Sequence, residues 1–217
     1  MRKLFLFIVC FILFGVGIKA QRFPQAVLPG DYPDPSILRD GKDYYMTHSP
    51  FYYAPGFLIW HSTDLMRWEP VCQALPEYEG SAMAPDLLKY QNRYYIYYPT
   101  STGENYVIYA DNIRGPWSKP VKLDVKGIDP GHVVGEDGKR YLFTNNGWIT
   151  PLSDDGLKVT GKSRKVYDGW EYPANWVTEG KDMYLESPKL LYKDGYYYMM
   201  SAEGGTAGPA TSHMCVV

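Results

Sequence analysis

Asp34-Pro35-Ser36-Ile37-Leu38, followed by Asp40-Gly41 and then by Tyr44-Tyr45-Met46, is a unit that the chain repeats. Its second copy is Ala84-Pro85-Asp86-Leu87-Leu88, Gln91-Asn92, Tyr94-Tyr95-Ile96. The third runs Asp129-Pro130-Gly131-His132-Val133-Val134, Asp137-Gly138, Tyr141-Leu142-Phe143. The fourth is Glu186-Ser187-Pro188-Lys189-Leu190-Leu191, Asp194-Gly195, Tyr197-Tyr198-Met199. In each copy an apolar run, a tight turn and an aromatic run predict a hairpin. A second half follows at least twice. Ile59 to Trp68 resembles Ile108 to Trp117, and in the third copy Ile149 to Val159, with its Asp155-Gly156 turn, can take the same part. The repeat prolines lie 50, 45 and 58 residues apart. A four-stranded sheet recurring at that interval is the blade of a β-propeller, which leaves only short, protected edges. A two-sheet sandwich is the competing arrangement, and it leaves the acid or Ala before each proline without a reason.

Outward from this repeat, the first 20 residues stand apart. Arg2 and Lys3 precede an apolar run from Leu4 to Ile18, and Ala20-Gln21 offers a cleavage point, the pattern of an export leader. The run falls short of the roughly 20 residues that a membrane span needs. Residues 1–20 therefore read as a signal peptide and residues 21–217 as the propeller domain, secreted or periplasmic, with no membrane partner after cleavage. Removing Arg2, Lys3 and Lys19 from the 22 basic residues leaves 19 against 24 acidic ones, a formal charge of −5. With no basic cluster, a nucleic-acid partner is not expected. Cys72 and Cys215 alone do not make a disulfide framework, and no metalloprotease or zinc-ribbon spacing occurs. The 21 tyrosines and 6 tryptophans suit strands and sugar-stacking surfaces equally, because each has a flat apolar face and a polar tip.

The position at or just before each repeat proline carries Asp34, Ala84, Asp129 and Glu186. Equivalent residues of successive blades surround the central channel at similar depth, so three carboxyl groups are expected at one end of it. Like charges brought together raise one another's pKa, and a raised carboxyl pKa suits a general acid. Glycoside hydrolysis needs that division between a protonated acid and an ionised carboxylate. From the repeat alone three readings stay open: a catalytic set, a metal or ligand cage, and the turn chemistry of Asp-Pro.

Gly30-Asp31-Tyr32-Pro33-Asp34-Pro35-Ser36-Ile37 resembles the opening motif of glycoside hydrolase family 43. So do Ala84-Pro85-Asp86, Gly115-Pro116-Trp117, Ile128-Asp129-Pro130, Glu186-Ser187-Pro188-Lys189-Leu190 and Ala202-Glu203-Gly204-Gly205-Thr206, in the family's order and spacing over residues 28 to 217. The resemblance implies an all-β, five-bladed β-propeller, of which this chain covers the first three and a half to four blades. It implies an inverting glycosidase acting on xylosyl or arabinosyl linkages of plant cell-wall polysaccharides and oligosaccharides. Asp34 is then the general base, Glu186 the general acid, and Asp129 the neighbour that orients the acid and tunes its pKa. A propeller that binds carbohydrate without catalysis is the alternative. The related β-fructosidase clan typically places its acid in a Glu-Cys motif, which Glu186-Ser187 does not match.

Asp86, Phe51, Trp60, Trp148 and Trp176 are the candidate substrate-binding residues; for each aromatic, a place in the blade core is the competing use. Two positions depart from the family's pattern. Met83 stands where a Trp is common, which removes an aromatic wall, and His132 replaces a more usual apolar or aromatic residue. A packed or hydrogen-bonded histidine is the expected state of His132. His213 falls where many members place a histidine on the axis, near water or a calcium ion. Calcium prefers oxygen ligands, so the expectation is no required cofactor and at most a structural calcium there. The chain stops at Met214-Cys215-Val216-Val217, inside the fourth blade by the repeat, and a longer polypeptide supplying a further blade is expected.

Overall fold

The computed structural model describes residues 26–78, 80–169 and 185–203, together with the backbone of Met214–Val216. The leader assigned to residues 1–20 lies outside these. Blade one comprises β1 (Ser36–Asp40), β2 (Asp43–Thr47), β3 (Gly56–Ser62) and β4 (Glu69–Leu75). Blade two comprises β5 (Asp86–Tyr90), β6 (Arg93–Pro99), β7 (Asn105–Ala110) and β8 (Val121–Leu123). Blade three comprises β9 (Gly131–Val134), β10 (Arg140–Thr144), β11 (Trp148–Pro151) and β12 (Arg164–Lys165). Blade four comprises β13 (Leu185–Lys193), β14 (Tyr196–Glu203) and β15 (Met214–Val216). Within each sheet consecutive strands pair antiparallel, and the inner strands β1, β5, β9 and β13 neighbour one another in that order. This is the propeller that the repeat predicts.

The predicted hairpins form. Asp40 pairs with Asp43, Tyr90 with Arg93 and Lys193 with Tyr196, leaving two-residue loops in blades one, two and four. Asp194 and Gly195 both have positive φ, as a type I′ turn requires. The resemblance between the second halves of blades one and two is also structural. The Trp68 indole donates to Leu65 O at 3.1 Å and the Trp117 indole to Ile113 O at 3.2 Å, closing the same turn before each outer strand. Blade three departs from expectation. The Asp155-Gly156 turn closes only a Leu152–Val159 bridge, and the outer strand is Arg164–Lys165, against β11.

Strand β6 shows how four of the 21 tyrosines are used. Its side chains alternate between two packed faces. Tyr94, Ile96 and Tyr98 enter a core with Phe57, Ile59, Leu75 and Leu87, between blades one and two. Tyr95 and Tyr97 enter a second core with Leu142 and Leu152, between blades two and three. Each aromatic fills the wedge between radial sheets, at roughly 150–250 Å² of burial per ring.

Candidate active site

Every inner strand is entered through an X-Pro step, and the residue before the proline is left-handed in all four blades. The φ values are 53° at Asp34, 40° at Ala84, 57° at Asp129 and 50° at Ser187. Proline crowds its predecessor out of the right-handed helical region, and the left-handed alternative costs a non-glycine residue roughly 1–2 kcal/mol. Its recurrence identifies the structurally equivalent positions. Ser187, not Glu186, is the counterpart of Asp34 and Asp129. Glu186 comes one residue earlier, on strand β13, where it pairs with Ala202. An irregularity in the register between Glu186 and Lys189 absorbs the left-handed Ser187.

The N-terminal ends of the inner strands surround a cavity of about 280 Å³. Blade one contributes Asp34 and Pro35, blade two Ala84 and Pro85, blade three Asp129, and blade four Ser187, Lys189 and Ala202. Asp34 and Asp129 thus share one cavity although 95 positions separate them in the sequence. Half-buried Glu186 adjoins it, flanked in sequence by Ser187 and in register by Ala202, both cavity-lining.

The two aspartates differ in setting. Asp129 is buried and accepts the Ser187 N–H at 3.2 Å. Burial pushes its carboxyl above the ordinary carboxylate range; the Ser187 N–H pulls it back, the Asp34 charge adds to the rise, and the Lys189 charge opposes it. Asp34 is exposed and takes a short hydrogen bond from the Ser49 hydroxyl. The same hydroxyl accepts the Ala84 N–H at 2.6 Å, so Ser49 aims Asp34 while tying blade one to blade two. Ser49 and Lys189 are site residues that sequence reasoning missed. Both lie inside stretches that signal the site, beside Phe51 and in the Glu186 motif, but their partners are remote in sequence.

The remaining candidates separate clearly. Phe51 and Trp60 line a second cavity of about 260 Å³, together with Tyr32, His48 and Ser49, and Ser49 connects that cavity to Asp34. Trp60 is buried, and Tyr32 meets it edge-on at 5.5 Å. Asp86 lines neither cavity. It is buried, with Oδ2 accepting the His132 N–H at 2.8 Å and Oδ1 accepting the Lys189 ammonium at 2.9 Å. It is therefore placed as a link between blades rather than as a sugar contact. Trp148 also lies away from both cavities, with the Lys126 ammonium 5.3 Å above its ring. Trp176 and His213, and with His213 the axial calcium expectation, lie outside the described residues. Among the described residues, no group of three or more His, Cys, Asp or Glu is arranged to hold a metal ion. His132 is the packed histidine expected. It stacks on Tyr97 at 5.9 Å and accepts from Arg140 Nε at 2.9 Å. Burial, reinforced by the guanidinium, holds its pKa down to about 4.

The family model for glycosyl hydrolases family 43 matches residues 23–216. A xylan 1,3-β-xylosidase of a Vibrio species is 36% identical, aligned over 83% of this chain and 38% of its own length. A xylosidase/arabinosidase of Butyrivibrio fibrisolvens is 33% identical, over 83% and 38%. The crystal structure of a xylan β-1,4-xylosidase from Bacillus halodurans superimposes with a TM-score of 0.72 at 31% identity, covering 89% of this chain and 40% of that one. The chain spans about two fifths of the length of the relatives it matches.

Proposed function

Because the chain belongs to glycosyl hydrolase family 43, we propose that the whole protein hydrolyses xylosyl or arabinosyl linkages of plant cell-wall polysaccharides or their oligosaccharides, with inversion at the anomeric carbon. The observation that carries the reading is the convergence of Asp34 and Asp129, from different blades, on one cavity with Glu186 at its edge. Asp34, exposed and aimed by Ser49, draws a proton from the attacking water as its oxygen bonds to the anomeric carbon. Glu186 gives its proton to the glycosidic oxygen as the carbon–oxygen bond breaks. Asp129 orients the acid and, by its own charge, keeps the proton on it. Phe51 and Trp60, next to Asp34, are the aromatic walls for the sugar. The names of the similar proteins support xylose or arabinose as the sugar released. The apolar leader supports export, to the medium or the periplasm.

The test uses the full-length protein and a panel of aryl and natural glycosides. Glu186→Ala lowers turnover of natural oligosaccharides by on the order of 10²–10⁴-fold and spares aryl glycosides with good leaving groups, which need little protonation. Asp34→Ala depresses both, since every substrate needs the activated water. Proton NMR of the first-formed sugar shows the inverted anomer. Carbohydrate binding without hydrolysis of any panel member identifies a non-catalytic propeller instead. Equal losses for both substrate types in both variants remove the assigned roles.

A further inference from the structure

The position two residues after each left-handed residue is Ser36, Asp86, Gly131 and Lys189 in blades one to four. In the first three blades it joins that blade to the next. Ser36 Oγ accepts the Leu87 N–H at 2.9 Å, and Asp86 Oδ2 accepts the His132 N–H at 2.8 Å. Gly131 makes the third joint by having no side chain. A Cβ there would lie 1.9 Å from the Pro188 carbonyl oxygen, so only glycine lets blade four approach this closely.

Lys189 breaks the pattern by reaching backwards across two blades. Its ammonium donates to Asp86 Oδ1 at 2.9 Å, to Pro130 O at 2.9 Å and more weakly to Pro85 O at 3.4 Å. Three N–H groups meet three acceptors, which is the whole donor capacity of the side chain. The two carbonyls belong to the residues that follow Ala84 and Asp129, so the same contact fixes the backbone that carries Asp129. Lys189 also lines the cavity that Asp34 and Asp129 share.

We propose that Lys189 is a positioning residue of the carboxylate site, whose ammonium, gripped by Asp86 and the carbonyls of Pro85 and Pro130, pins blades two, three and four at the axis and supplies the positive charge beside Asp129. The proposal rests on the glycosidase reading for its kinetic consequence, but not for its electrostatic one. Around Asp129, blade one presents Asp34, blade two presents the uncharged Ala84, and blade four presents Lys189 with Glu186 beside Ser187. Lys189 is the cation of this set, and its charge acts on Asp129 against burial and Asp34. Without it, Asp129 protonates at higher pH.

The experiment compares the full-length wild type with Lys189→Met, Lys189→Arg and the double variant Lys189→Met/Asp86→Asn. The double variant removes the uncompensated Asp86 charge that would otherwise threaten folding. Two quantities are read: the ¹³C NMR titration midpoint of the Asp129 carboxyl, assigned by its loss in Asp129→Asn, and the pH profile of kcat/KM on an aryl glycoside. In the variants lacking the charge, the midpoint and the acidic limb both move to higher pH. Lys189→Arg holds the midpoint near the wild-type value, although its planar fork grips the three acceptors less well. An unmoved midpoint in the double variant overturns the proposal, whatever happens to thermal stability. A midpoint that moves in the variants, alongside a wild type that hydrolyses nothing, upholds Lys189 and sinks the glycosidase reading.

Discussion

Strands β6 and β14 hold the same place in their blades, yet they live in different surroundings. The hairpin registers align Tyr95 with Tyr198 and Tyr97 with Met200. Tyr95 and Tyr97 are 3% and 0% exposed, whereas Tyr198 and Met200 are 43% and 46% exposed. The face in question is the one that blade two turns toward blade three. In blade four it has no counterpart among the described residues. An aromatic strand is therefore a statement about what packs against it, and burial belongs to the pair of blades rather than to the strand. The same comparison shows Tyr94, Tyr95, Tyr97 and Tyr98 to be wedge-filling material between blades, while Phe51 and Trp60 line the cavity that Ser49 joins to Asp34.

The largest expected effect tests that difference directly. Tyr97 is fully buried, donates to Gly156 O at 2.9 Å and accepts from Arg140 at 3.0 Å. Tyr97→Ala is expected to cost about 3–5 kcal/mol, the range for large aromatic truncations. Met200→Ala in residues 21–217 is expected to stay within about 0.5 kcal/mol, as an exposed substitution does. In a polypeptide that packs a further blade on this face, its cost rises to about 2–5 kcal/mol. Urea melts of both variants in both lengths decide the matter. Equal costs for the two variants in the shorter chain would show that its blade-four face is already covered, and would break the comparison.

A smaller effect sharpens it, because blade three brings ionisable groups to its buried interface with blade two. Arg140 is 1% exposed and lies between Tyr90 and Tyr95, 4.4 Å from each ring centroid, and it reinforces the burial that holds His132 neutral. The folded-state pKa of about 4 lies below the ordinary value near 6.5. Above about pH 6.5 both folded and unfolded chains carry this histidine neutral, and its contribution is complete. As pH falls from there toward 4, the unfolded chain takes up a proton that the folded one refuses, so stability drops. The total is about 3 kcal/mol, from roughly 1.4 kcal/mol per pH unit. Stability measured between pH 7 and pH 4 should fall less steeply for His132→Phe than for wild type. Parallel curves would show that the histidine does not report on this interface.

Much of this architecture is legible in the residues, and the illegible parts share a cause. The hairpins could be read because X-Pro, turn and tyrosines are local and recur at near-constant spacing. The outer strand of blade three could not, because Arg164–Lys165 is short and charged, while Asp155-Gly156 looks like the better turn. At the site, Asp34 and Asp129 were evident from the repeat. The displacement of Glu186 by one position was not, because a left-handed Ser187 is a backbone event with no letter of its own. The reassignment of Asp86 depends on an ammonium 103 positions away in sequence, and no linear pattern announces such a partner.

The smallest expected effect concerns a feature in which the blades agree. Asp34, Ala84, Asp129 and Ser187 all adopt positive φ before proline, although only two of them present a carboxylate to the cavity. At Ala84 the known polar contact is the N–H donated to Ser49 Oγ, which any residue other than proline can make. The left-handed conformation costs alanine roughly 1–2 kcal/mol, and glycine is free of that cost. Glycine also loses more backbone entropy on folding, about 0.5–1 kcal/mol against alanine. Before any packing loss, Ala84→Gly therefore gains about 0.5–1 kcal/mol, with the Asp34 and Asp129 carboxylates undisturbed. The substitution also removes the methyl group of a residue that is 8% exposed, so lost burial works against the gain by up to about 0.8 kcal/mol and the net change in Tm is expected to lie between nil and a small rise. A clear loss of stability would mean that this methyl group's packing outweighs the backbone cost, and that the shared conformation is held without strain in blade two. A gain at Ala84 repeated in Ser187→Gly would instead show that strain is common to the blades, with or without an acid at the position.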